Sequence, residues 1–164
     1  MRPSILPNLV GAARRNADRG IADGMLFEVG PQYGGVAATD QRLVAAGLRW
    51  GRTGARHWAA PPRAVDAFDA KADAMAALEA AGAPVANLQV STDAPAWYHP
   101  GRSGALRLGP KVLALFGELH PGVLADLGYD GRAVGFEAFL DAVPQPKARA
   151  GKAKPMLRVS PFQP

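Results

Sequence analysis

The chain has 164 residues, no cysteine, 48% hydrophobic residues and a formal net charge of +5. That length suffices for one domain with a substantial core, and the lack of cysteine excludes disulfides and thiolate chemistry. No apolar run nears the roughly 20 residues of a membrane span, and the opening Met-Arg-Pro-Ser-Ile-Leu-Pro lacks a signal peptide's apolar core, so a cytoplasmic protein without membrane contact is expected. The positive charge permits an acidic partner such as RNA. It gathers in no single stripe, and Lys147, Arg149, Lys152, Lys154 and Arg158 hold much of it.

Ser4 is placed to cap a helix in which Leu6, Leu9, Val10, Ala13 and Ala17 recur at helical spacing, with Gly20 as its stop. Arg14, Arg15 and Arg19 fall mostly outside that stripe. A solvated face is their plainer reading; contact with RNA or another subunit is the functional one. Residues 25–29 read as a strand ending at Gly30-Pro31, and 41–50 as the next, with Leu43, Ala45 and Leu48 buried. The loop GRTGARHWAAPPR follows, punctuated by Gly and Pro. In it Trp58 reads as a lid on the core, with a partner surface as the alternative, and His57 as an incidental loop residue.

Asp66 is a cap for a second helix, with Phe68, Ala72, Met75 and Leu78 as the buried stripe and Gly82 as its end. Asp69 and Asp73 stand four apart and could pair as carboxylates, but the helix offers no other polar group to build a pocket. Residues 85–90 alternate like a half-buried strand. Residues 105–108 and 111–115 flank Gly109-Pro110 as a hairpin. The apolar run 112–116 is a buried strand, closed by Gly117-Glu118-Leu119-His120-Pro121. Pro121 opens a short helix through Val123, Leu124 and Leu127, Gly128 stops it, and 133–140 return as a strand. From Pro144 the composition turns to Pro, Gly and Lys, so residues 144–164 read as a linker toward a C-terminal domain outside the chain.

No nucleophile elbow, Walker loop or Rossmann glycine fingerprint is present. A metal site would need His57, His99 and His120, yet His99 and His120 each precede Pro-Gly, which suits turns better than ligand spacing. Glu118, His120 and Glu137 could do general acid–base work if they shared a cleft. Against that, His120 can simply end a strand and Glu118 can satisfy nearby backbone donors.

GELHPGVLADLGYDG followed by VGFEAFLDAV resembles the end of the catalytic-like region of the bacterial phenylalanine–tRNA ligase β-subunit family. RPSILPNLVGAARRNADRG with LFEVGPQY resembles an earlier part of that region. AAGLRWG, the lone HW, VDAFDAKADAMAALEAAG and YHPGRSGALRLG fall between them in the family's order, so the resemblance covers residues 1–143. It implies an α+β fold, a class II aminoacyl-tRNA synthetase-like antiparallel sheet flanked by helices. It also implies a subunit of an α2β2 heterotetramer that charges tRNA with phenylalanine. ATP and magnesium would serve the whole complex, with no cofactor, metal or catalytic residue in this domain. The family's editing and anticodon-binding domains, and the interface helix that precedes this region, would lie outside the chain.

Active class II domains grip the ATP phosphates with two arginines, one in the second motif and one in the Gly-rich third, because a planar guanidinium binds phosphate bidentately. Here LFEVGPQYGG resembles the second motif, with Gly34 where the arginine is expected. GFEAFLDAVP occupies the third motif's place without any arginine. The resemblance thus implies a non-catalytic look-alike buttressing the α subunit, with Leu9, Val10, Arg14, Arg15 and Trp58 as contacts to a subunit or RNA. The alternative is a free-standing RNA- or adaptor-binding module using the basic surface.

Overall fold

The computed structural model describes residues 2–54, 58–59 and 61–144. The expectations for His57 and for the linker beyond Pro144 lie outside these residues. In chain order the elements are helix α1 (Leu6–Ala17), strands β1 (Gly24–Tyr33) and β2 (Gln41–Trp50), helix α2 (Ala67–Ala80), strands β3 (Gln89–Ser91), β4 (Tyr98–Leu108) and β5 (Lys111–Leu119), helix α3 (Pro121–Asp126) and strand β6 (Ala133–Phe139). The strands make one antiparallel sheet in the order β1-β2-β6-β5-β4-β3. Helix α2 carries the chain from β2 to the far edge at β3. A run of hairpins then brings β6 back beside β2, so the α+β expectation holds.

Each face of the sheet has its own core. On one face Val44, Ala46, Leu48 and Trp50 of β2 join Leu115 and Leu119 of β5 beneath Ile5, Leu6, Leu9, Val10 and Ala13 at α1. On the other, Ala45, Ala114, Phe116, Val134, Phe136 and Ala138 pack against Ala70, Ala74 and Leu78 of α2. Both faces of β2 are therefore covered, which is why 44–48 is an unbroken apolar run. Leu43, expected to be buried, lies exposed near the start of the strand.

Local chemistry explains the element ends. Ser4 Oγ accepts from the Leu6 amide (3.1 Å) just ahead of α1. Asp66 Oδ1 accepts from the Phe68 amide (2.8 Å) while Asp69 Oδ2 accepts from the Asp66 amide (2.9 Å), a reciprocal capping box. Gly109, at φ 58°, opens the two-residue turn between β4 and β5, where hairpin geometry calls for a left-handed residue.

Three further expectations change. Phe68 is 75% exposed and Ala72 is exposed too: α2 approaches the sheet through Leu78, as expected, and through Ala70 and Ala74, small side chains that let it sit close. Residues 85–90 are mostly not strand, because a 3₁₀ turn over Val85–Asn87 follows Pro84 and leaves only Gln89–Ser91 paired. Strand β1 runs through Gly30-Pro31 to Tyr33. Proline is tolerated there because β1 is an edge. The Pro31 carbonyl accepts from Arg2 Nε (3.1 Å) on the side away from β2, so the missing N–H belongs to the open edge.

Candidate functional site

The α1 face of the sheet holds a cleft of about 320 Å³ lined by Gln32, Arg42, Trp97, Leu115, Glu137 and Phe139 among others. Its floor is Glu137 on the central strand β6, 2% exposed. Strand alternation puts Glu137 on this face, opposite Ala46 on one side and Leu115 on the other. One carboxylate oxygen, Oε1, accepts from Ser4 Oγ (2.7 Å) and from Gln32 Nε2 (2.6 Å). Both donors are neutral, and no guanidinium or ammonium of the described residues pairs with Glu137. Ser4 is fixed by its bond from the Leu6 amide, and Gln32 by its own burial on β1.

Gln32 and Arg42 are register partners across β1 and β2. The Arg42 guanidinium lies over the Phe139 ring, 5.5 Å from its centroid. Gly34, where the resemblance expects an arginine, lies at the bend after β1, and its amide donates to the Asp40 carbonyl (2.9 Å). A Cβ there would stand 3.6 Å from Arg42 Nη2, so an arginine at 34 would project beside Arg42. Strand β6 reads AVGFEAF, with no arginine. Among the residues that line the cleft, Arg42 is the only cation.

The acid–base set suggested by the sequence does not assemble. Glu118 lies on the α2 face, opposite Val134, whereas Glu137 lies on the α1 face. Glu118 does not bond backbone donors as expected but is forked by two arginines: Arg102 Nε (2.7 Å) and Arg132 Nη2 (2.7 Å) both donate to Oε2. Burial works against its ionisation, yet the bonds from Arg132 and Arg102 prevail and hold the carboxyl below its ordinary value. His120 precedes α3, where Nδ1 accepts from the Gly122 amide (3.1 Å), and His99 Nδ1 accepts from the Gly101 amide (3.1 Å). His120 caps a helix start, in keeping with its Pro-Gly sequel, whereas His99 lies in β4 and not in the turn its own Pro-Gly sequel suggests. Asp69 and Asp73 also part company: Arg63 Nη2 bonds Asp69 (2.7 Å) and Arg49 Nη2 bonds Asp73 (2.7 Å). The hydrogen bond from Arg63 is the main cause holding the Asp69 carboxyl below its usual range.

Of the expected contact residues, Leu9 and Val10 are buried in the core and offer no free surface. Arg14 and Arg15 are exposed on α1. Trp58 is 93% exposed and so is not a lid on the core. The sequence reading missed a different apolar stripe. Met25, Phe27 and Val29 on edge strand β1 are 63%, 61% and 50% exposed. All three share the α2 face, at its margin, where Met25 and Phe27 line an open cleft with Ala76 and Ala77 of the helix. Their i, i+2, i+4 spacing was the available signal; what the sequence could not say is that β1 is an edge.

Two solved structures of pyrrolysyl-tRNA synthetase from Desulfitobacterium hafniense have the same fold. One has a TM-score of 0.63 at 20% identity over 86% of this chain and 48% of that one. The other has a TM-score of 0.61 at 21% identity over 86% and 47%. The sheet and its helices thus have the expected class II aminoacyl-tRNA synthetase-like fold. The phenylalanyl tRNA synthetase beta chain CLM domain profile matches residues 1–140. The chain belongs to that family. The phenylalanine–tRNA ligase beta subunit of Paramagnetospirillum magneticum is 62% identical over 164 residues, 100% of this chain and 21% of that protein. That of Rhodospirillum rubrum is 62% identical over 100% of this chain and 20% of its own length, and that of Mesorhizobium japonicum 56% identical over 99% and 21%. The chain spans about a fifth of the length of these synthetase subunits. No helix of the described residues is long and apolar enough to cross a membrane.

Proposed function

We propose that this chain is a structural, non-catalytic domain of a phenylalanine–tRNA ligase β subunit, buttressing the α subunit that performs ATP-dependent charging of tRNA. The assembly is an α2β2 heterotetramer in the cytoplasm. ATP and magnesium belong to the complex as a whole, and tRNA is bound by it. The observation that carries this reading is the charge pattern of the cleft: Gly34 lines it where the resemblance expects an arginine, and β6 has no arginine, leaving Arg42 as the lining cation. Phosphoryl and adenylyl chemistry depends on cations preorganised around the phosphates. Each missing clamp costs about 3–4 kcal/mol of transition-state stabilisation, taking the loss of one oxyanion donor as the scale. Two together slow activation by about four to six powers of ten.

The test is phenylalanine-dependent pyrophosphate exchange with the purified chain, paired with calorimetry against ATP. Exchange indistinguishable from a protein-free blank is expected, also for Gly34→Arg, which restores one clamp of two. Exchange above the blank, or micromolar ATP binding, would refute the reading.

A further inference from the structure

Glu137 has more to offer than a structural carboxylate needs. Burying a carboxylate is costly unless a cation or several donors compensate it. Elsewhere the fold follows that rule with arginine: two for Glu118, one for Asp69 and one for Asp73. Glu137 is as buried as Glu118 yet has only a hydroxyl and an amide, and both bond the same oxygen. Its second oxygen, Oε2, has no hydrogen-bond donor, and the Tyr98 hydroxyl is the sole sealed side-chain polar atom without a partner among the described residues. Oε2 therefore keeps accessible surface, and Glu137 lines the cleft. Burial first, and then the neighbouring Glu137, pushes the Tyr98 hydroxyl well above its ordinary pKa.

We infer that this cleft binds a small organic cation, a primary ammonium on a flat apolar body, without any chemistry on it. The ammonium would meet Glu137 Oε2, held in place from behind by Ser4 and Gln32. The body would lie against Trp97, Leu115 and Phe139, in a volume that suits about ten heavy atoms. Arg42 does not cancel the site: its side chain is exposed and stacked on Phe139, so water screens its charge, whereas the buried carboxylate is screened far less. This inference is independent of the phosphate-clamp argument, since no ATP and no turnover enter it.

The probes are 2-phenylethylamine, charged at neutral pH, and 2-phenylethanol, its neutral counterpart of the same shape. Both are titrated into the 164-residue chain by calorimetry and heteronuclear NMR. The amine should bind with a dissociation constant below about 1 mM, and the alcohol at least about tenfold more weakly, the scale of one charged hydrogen bond. Glu137→Gln keeps the side-chain shape and should erase that preference, while Glu118→Gln should leave it intact. Trp97→Ala removes a half-exposed wall and should weaken both probes without unfolding the chain. Equal binding of amine and alcohol, or an amine affinity that survives Glu137→Gln, would overturn the proposal. If Glu137→Gln fails to fold, an unchanged amine affinity in Trp97→Ala overturns it instead.

Discussion

Glu118 and Glu137 are buried on adjacent strands, but only Glu118 is paired with arginine. Glu118 is locked by Arg102 and Arg132, whose side chains remain about half exposed. Hydrogen bonds to a charged group contribute about 1.5–3 kcal/mol, but water screens the outer halves of these pairs, so Glu118→Gln should cost about 1–2 kcal/mol at neutral pH. The carboxyl titrates below the glutamate reference of about 4.3. Its contribution is therefore complete above that reference and fades as pH falls through the lower native value. Urea midpoints of the native chain and Glu118→Gln should differ at pH 7 and pH 5, and the gap should shrink as pH falls below the glutamate reference and close below the lower native value. A gap that persists undiminished at pH 3 would mean the charge is not what stabilises. Glu137 was visible in the sequence as a carboxylate in a strand, but its donors were not. Ser4 and Gln32 lie 133 and 105 residues away, and no local spacing links them to it.

Helix α2 is held at its start by one side chain whose role can be isolated. Asp66→Ala removes the acceptor for the Phe68 amide and should cost about 1 kcal/mol, seen as a melting temperature lower by about 2–4 °C. Asp66→Asn keeps an acceptor and should recover most of it, so equal losses in the two variants would assign the effect to the Arg63 pair instead. This cap was legible because capping chemistry is local. Strand β2 was legible from end to end for a similar reason, since an apolar run with both faces buried needs no partner to be recognised. The buried face of α2 was legible only in part, at Met75 and Leu78. Weighting the stripe by side-chain size favours Phe68, whereas the packed helix favours alanines that allow close approach to β5 and β6. Edge and centre were equally hidden, because strand order is a property of the whole sheet; Pro31 reads as a strand end until β1 is known to be an edge.

At the scale of the molecule, the uncovered stripe Met25, Phe27 and Val29 is the surface expected to meet the α subunit, in keeping with the proposed role as a buttress. Phe27→Asp in the complete β subunit should reduce co-purification of α by at least about tenfold, the scale of a lost interface anchor. Its effect on the β subunit's own melting should be small, because the ring is mostly exposed. Undiminished co-purification would exclude this stripe as the contact. Destabilisation of β by itself would show that another part of β covers it.

The place of β6 between β2 and β5 also governs how the chain is made. Strands β2 and β6 pair residues from Trp50 with Ala133 to Val44 with Phe139, so the sheet joins its two halves only when its last strand arrives. A ribosome adding about 5–20 residues per second delivers that strand about 4–18 s after β2 has been synthesised. Through that interval β2 stands as a bare edge with apolar side chains on both faces, the condition that invites pairing with a neighbouring chain. The centre of the finished sheet is thus its most vulnerable part during synthesis.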